Sequence, residues 1–153
     1  MKIFKLIFYL LFIFVTSCGY QSIETYYKGD FQISELNITG NKNINRIIDR
    51  GLKKSTENNN SSNLLKIEIK TDLNKSIVTK NSKGEATRYN IKININLKTF
   101  KNEKLVFEKI YSKNNSYNTL ESKYELKQYE KILVNDSVKE IMQKINQDLN
   151  SIK

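Results

Sequence analysis

Thr87-Arg88-Tyr89-Asn90-Ile91-Lys92-Ile93-Asn94-Ile95-Asn96-Leu97-Lys98-Thr99 decides the fold. Its odd positions are apolar or small, and its even positions are all Arg, Asn or Lys. A strict period of two is the mark of a strand with one buried face. At about 3.3 Å per residue the segment would reach roughly 43 Å, long for a small domain. Its wholly polar second face predicts a sheet covered on one side only.

The neighbouring segments supply partners for this strand. Leu65, Ile67, Ile69, Thr71 and Leu73 alternate in the same way, and Ile77-Val78 extends the apolar signal. Asn81-Ser82-Lys83-Gly84 is turn chemistry, so these two runs predict a hairpin. Downstream, Lys101-Asn102-Glu103-Lys104 turns into Leu105 to Tyr111, an antiparallel neighbour, and Ser112 to Asn118 reads as a polar connection. Upstream, Phe31 to Ile38 predicts a first strand whose apolar parity slips at Ser34-Glu35. Thr39-Gly40-Asn41 follows as a turn.

Two helices complete the set. Asn43 is placed to cap the first, whose Ile44, Ile47, Ile48 and Leu52 form one stripe while Asp49, Arg50 and Lys53 face away. Gly51 weakens that helix by roughly 1 kcal/mol relative to alanine. Ser55 to Asn63 is a polar loop. The last helix starts near Ser122 and carries Val134, Val138, Ile141, Met142, Ile145 and Leu149 on one face, a core stripe. The expected class is α+β: two helices packed on one face of a four-stranded, mostly antiparallel but mixed sheet. The mixing comes from the helix that crosses over between the first two strands.

At the other end of the chain, Lys2 and Lys5 precede the apolar run Leu6 to Val15, which stops at Thr16-Ser17-Cys18. About ten apolar residues fall short of the roughly 20 that span a bilayer, and the pattern is that of a secretory signal. Val15-Thr16-Ser17-Cys18 looks like a bacterial lipobox, in which the cysteine sulfur takes a diacylglycerol and the signal is cut before it. The expected organisation is residues 1–17 as lipoprotein signal peptide, 18–30 as lipidated tether and 31–153 as one α+β domain. Gly19 rather than Asp follows Cys18, which under the sorting rule of such lipoproteins favours the outer membrane.

Composition narrows the chemistry. The chain has 26 basic and 16 acidic residues, no histidine and one cysteine. A Cys/His zinc site, a Ser-His-Asp triad and a thiol nucleophile are excluded once Cys18 carries lipid. No acidic pair or glycine cradle suggests other catalysis, so the expectation is a non-enzyme with no metal and no cofactor beyond the lipid on Cys18. The basic excess suits polyanions, and export favours envelope phosphates over nucleic acid. The abundance of Lys, Asn and Ile is also what an AT-rich gene supplies, so bulk charge alone singles out no partner.

Taken together, Cys18-Gly19-Tyr20, the Ser76-Ile77-Val78 strand leading through Gly84 into Thr87-Arg88-Tyr89-Asn90, and Lys131 with Asp136-Ser137-Val138-Lys139-Glu140-Ile141 on the last helix resemble the LPS-assembly lipoprotein LptE family. The resemblance covers nearly all of residues 18–150, although the chain lacks the proline that follows the tether in that family. It implies two helices on a four-stranded sheet and a plug seated inside the LptD β-barrel, the pair inserting lipopolysaccharide into the outer leaflet. It also implies a lipid-anchored position on the periplasmic side of the outer membrane. Lys80 and Lys131 lie where the family pattern places basic residues, and Lys83 and Arg88 flank the same turn; lipid A phosphates are their expected contacts. The alternative is a free-standing outer-membrane lipoprotein that binds anionic lipid or glycan.

Overall fold

The computed structural model describes residues 30–56 and 61–152. The signal peptide 1–17, Cys18 and nearly all of the tether 18–30 lie outside the described residues. Four strands form one sheet in the order β1 (Gln32–Gly40), β2 (Leu64–Lys80), β3 (Ala86–Lys101) and β4 (Lys104–Asn118). Helix α1 (Lys42–Thr56) connects β1 to β2, and α2 (Lys123–Asn150) closes the chain. β1 and β2 are parallel, and the other two pairs are antiparallel. The mixed α+β architecture expected from the sequence is the one observed.

Period-two patterning sets the layers. Leu65, Ile67, Ile69, Ile91, Ile93, Ile95 and Leu97 are buried beneath the helices. Ile44, Ile48 and Leu52 of α1 meet them from above, as do Val138, Ile141, Met142, Ile145 and Leu149 of α2. Each such side chain contributes about 1.5–3 kcal/mol on leaving water. The parity slip in β1 is a register shift between Ile33 and Glu35, which returns Leu36 and Ile38 to the core side opposite Ile67 and Ile69.

The junction between β1 and α1 corrects one expectation. The helix cap is Asn41, not Asn43: Asn41 Oδ1 accepts from the backbone N–H groups of Asn43 and Ile44 at 3.1 and 3.2 Å. The strand also runs on through Thr39 and Gly40 rather than turning there. Gly40 adopts φ +104°, and a Cβ on it would sit 1.9 Å from the carbonyl oxygen of Thr71. Close approach pulls the chain onto β2, where buried Thr71 accepts from Asn41 N–H (2.9 Å) and donates to Asn45 Oδ1 (2.5 Å).

A second correction concerns Ser112 to Asn118, which is not a connection but the second half of β4. Its inward face is polar, so hydrophobic alternation is silent there. Every second residue of β4 from 109 to 117 bonds to α2 instead. Lys109 and Tyr111 reach Asp148 (2.7 and 2.5 Å), and Lys113 reaches Glu140 (2.5 Å). Asn115 donates to Ser137 (2.8 Å) and Tyr117 to Glu130 (2.8 Å). Eight residues of strand cover about 26 Å, and the 18 residues of helix between Glu130 and Asp148 cover about 27 Å, so strand and helix keep step along the whole seam.

The hairpins differ in design. Asn102 and Glu103 both take positive φ (49° and 64°), giving the two-residue primed turn whose twist suits adjacent strands. The β2–β3 turn is organised by Asn81, whose Oδ1 accepts from Lys83 and Glu85 N–H at 3.0 and 2.9 Å, with Gly84 at φ +82°. Helix α2 opens on Ser122, whose hydroxyl accepts from Glu125 N–H at 3.3 Å.

The two poles of the molecule have different contents. Asp30 N–H donates to Asn150 Oδ1 (2.8 Å), Ser61 donates to Asp30 O (3.0 Å), and Asn63 donates to Ile152 O (2.8 Å). Both ends of the domain and the start of β2 are therefore tied together. β2 then runs 17 residues away from them, at most about 53 Å, to the turn at Asn81–Gly84.

Candidate functional site

Three surfaces carry chemistry: the hairpin tip, the uncovered sheet face and the groove between the helices. At the tip, residues Lys75 to Glu85 are all exposed, so β2 and β3 continue beyond the helical layer. Ile77 and Val78 are half exposed there, an apolar pair next to Lys80, Lys83 and Arg88. The structure thus places three of the four expected basic contacts on one projecting hairpin. Where the hairpin leaves the helices, Tyr89 stacks on Tyr117 (5.7 Å), Tyr117 meets Tyr129 (5.8 Å), and Lys75 Nζ lies 4.2 Å from the Tyr89 ring centre. Lys75 also pairs with Glu130 at 2.5 Å. These contacts brace the base of the projection.

The uncovered face of the sheet is mostly polar and close to neutral, with Ile110, paired to Asn96, and Leu105, paired to Phe100, among its exposed apolar residues. Lys66, Lys70, Lys92 and Lys98 share it with Glu35, Glu68, Asp72 and Glu108. Lys66 pairs with Glu35 at 3.0 Å and Lys98 with Glu108 at 3.3 Å. The hydrogen bond from Glu35, then its charge, raises the Lys66 pKa above its ordinary value. Between the charges, Ser112 donates to Asn94 (2.9 Å) and Ser116 to Asn90 (3.2 Å). Away from Leu105 and Ile110, such a face suits a polar wall.

Lys131 stands elsewhere. It lines a groove of about 780 Å³ between α1 and α2, level with Leu73 of β2. Seven residues of strand, about 23 Å, separate Leu73 from Lys80, so Lys131 does not join the tip cluster. Its neighbours in the groove are Arg46, Arg50 and Lys127, which the sequence reading did not single out. The signal was present: Arg46 and Arg50 on α1, and Lys127 and Lys131 on α2, each stand four residues apart and so share a helix face. The groove's one carboxylate, Glu130, is already engaged by Lys75 and Tyr117.

Among the described residues no group of three His, Cys, Asp or Glu side chains is assembled to hold a metal. Their strongest electrostatic shifts belong to the β4–α2 seam. Burial, then the bond to Asp148, pushes the Tyr111 hydroxyl well above the usual tyrosine range. Burial, then the bond to Glu130, does the same to Tyr117. Burial opposes ionisation of Asp148, but its hydrogen bonds from Lys109 and Tyr111 outweigh this and bring its pKa below the ordinary value. These groups fasten strand to helix.

No protein-family model matches the chain, and no curated protein matches it in sequence. Solved structures do match in fold. Rare lipoprotein B from Shewanella oneidensis superposes with TM-score 0.60 at 12% identity, covering 78% of this chain and 95% of that one. A minor lipoprotein from Acinetobacter baumannii gives 0.57 at 12% identity, covering 82% and 92%. A putative lipoprotein from Caulobacter crescentus gives 0.54 at 13% identity, covering 84% and 92%. The fold is one that bacterial lipoproteins share.

Proposed function

We propose that this protein is the lipoprotein subunit of an outer-membrane lipopolysaccharide translocon, a non-enzymatic plug and assembly partner for an LptD-type β-barrel that helps move lipopolysaccharide into the outer leaflet. The observation that carries the reading is the shape and polarity of the sheet. It is covered on one side, mostly polar and close to charge balance on the other apart from exposed apolar residues such as Leu105 and Ile110 of β4, and drawn out into a hairpin that passes the helices by several residues. Large barrels have polar interiors and commonly hold a plug, and a long one-sided polar sheet is complementary to such a wall. The fold likeness to bacterial lipoproteins and the lipobox at Cys18 support the same reading. A lipid on Cys18 would hold the tether pole at the periplasmic side of the outer membrane, leaving the hairpin as the part that reaches farthest from it. In this role Lys80, Lys83 and Arg88 meet lipid phosphates at the tip, Arg88 in a bidentate manner and the lysines as point charges.

Purification of the lipidated protein in mild detergent from its own cells tests the reading. Recovery of a large β-barrel at equal stoichiometry is the expected result, and Ile77→Asp with Val78→Asp should abolish it without unfolding the domain, since both side chains are half exposed. Recovery of the protein alone, with surface lipopolysaccharide unchanged on depletion, would sink the proposal in favour of a free-standing lipoprotein that binds anionic lipid or glycan.

A further inference from the structure

The uncovered sheet face changes character at its tether pole. Leu64 and Lys66 of β2 alternate with buried Leu65 and Ile67, so both point to that face. Lys66 pairs with Phe100 of β3, and Phe100 with Leu105 of β4. Leu64 stands one rung nearer the Asn102–Glu103 turn and is 52% exposed, Leu105 is 50% exposed and Val106 45%. One rung the other way lie Glu68, Lys98 and Glu108, where the face is charged again.

A bulge builds this patch. Thr99 pairs with Phe107 and Phe100 with Leu105, which leaves Val106 as an extra residue in β4. In a regular strand Leu105 and Phe107 would share a face. Here Phe107 packs against the core while Leu105 is turned outward. The local backbone delivers aliphatic side chains to the surface. Lys101 and Lys104 flank the turn, with Glu103 between them, and neither lysine has an ion-pair partner among the described residues.

The position of the patch points to its occupant. Asp30, where the tether enters the fold, is bonded to Asn150 and Ser61 at this same pole. From Cys18 to Asp30 the chain spans at most about 43 Å when fully extended. A lipid on Cys18 therefore holds the patch near the bilayer at a high effective concentration, where an apolar contact too small to retain a free protein is occupied. Leucine and valine suit the boundary between headgroups and acyl chains, and the flanking lysines can lay their stems there while their ammonium groups stay in water.

We propose that Leu64, Leu105 and Val106 form a second membrane contact, resting on the phospholipid surface that carries the Cys18 lipid. The inference rests on the lipid-anchor part of the proposed role and needs neither a barrel nor lipopolysaccharide. The lipid selects the pole; the patch selects which side of that pole lies on the membrane, and so sets the tilt of the sheet.

The test uses the full lipidated protein reconstituted into phosphatidylethanolamine–phosphatidylglycerol vesicles. Its single cysteine is taken up by lipid, so Lys104→Cys accepts one environment-sensitive fluorophore. That label should be blue-shifted and quenched by lipids brominated high on the acyl chain. A label at Asn74→Cys, on the same face about 33 Å along β2 from Leu64, should be quenched at least roughly fivefold less. L64S/L105S/V106S should bring quenching at position 104 down to the level at position 74 while the protein stays on the vesicles. The three side chains are about half exposed, so its melting profile should match that of the parent. An unquenched label at 104, equal quenching at 74, or quenching that survives the serine substitutions would overturn the proposal. A blue-shifted but unquenched label would put protein instead of lipid against the patch and overturn it as well. The mass of the Cys18 peptide separates the two readings: acylated protein with an unquenched label fails this contact alone, whereas an unacylated Cys18 fails anchor and contact together.

Discussion

Two residues set limits on what the domain tolerates. Gly40 combines a left-handed φ with a backbone carbonyl in the space a side chain would need. Gly40→Ala therefore adds conformational strain to a clash that only separation of β1 from β2 can relieve, and should cost about 3 kcal/mol or more in denaturant unfolding. An unchanged midpoint would show that the β1–α1 junction relaxes freely. Asn146 presents the opposite case. It is 2% exposed on the core side of α2, and neither its amide nitrogen nor its oxygen finds a partner. Asn146→Leu removes a buried amide at little change in volume and should stabilise the fold by about 1–2 kcal/mol. A loss of stability would mean that the amide is bonded in solution. Neither residue draws attention by sequence alone: Asn146 interrupts an apolar stripe, and Gly40 sits in a Thr-Gly-Asn segment that reads as an ordinary turn.

At the scale of elements, the β4–α2 seam explains what periodicity reveals and what it misses. β2, β3 and the core stripe of α2 are legible because their inward residues are aliphatic and their period is unbroken. The second half of β4 is not legible, since Lys113 and Asn115 face inward yet are polar, and their partners Glu140 and Ser137 lie far away in sequence. Tertiary hydrogen bonds do there what aliphatic burial does elsewhere. The seam also sets the pH dependence of the fold. Tyr111 and Tyr117 ionise only above their ordinary value of about 10 in the folded state, so their contribution is complete below pH 10 and lost as pH rises beyond it. The Asp148 pKa is lowered from 3.8, so its contribution is present above about pH 4 and lost on acidification below that. Stability should accordingly be level between these limits and fall on both sides. Tyr111→Phe should cost about 1–2 kcal/mol at neutral pH and flatten the alkaline limb. Urea midpoints across pH decide this; an alkaline limb as steep as that of the wild type would assign it to other groups.

For the molecule as a whole, charge is sorted by surface: the sheet face carries both signs, the hairpin tip is basic and partly apolar, and the inter-helix groove is basic, with Glu130 its one carboxylate. Turn chemistry was enough to place Lys80, Lys83 and Arg88 together, because a turn is local. The groove was not foreseen, because it needs α1 and α2 side by side, and outward-facing Arg46 and Arg50 read as solvated until a second helix is set against them. The bonds from Asp30 to Asn150 and from Asn63 to Ile152 have a consequence of another kind. With its two ends in contact, the domain is close to a closed ring, and the position of the break is a matter of covalent convenience. A circular permutant that joins 152 to 30 through a short Gly-Ser linker and opens between Ser82 and Lys83 should melt within a few degrees of the parent. Failure of that permutant to fold would make the hairpin turn part of the folding nucleus. Success would detach orientation from architecture: under the proposed function, a lipid attached at the new terminus would invert the domain on a membrane without altering its core. In the proposed role, which pole faces the bilayer would then be written by the position of the lipidated cysteine, not by the fold.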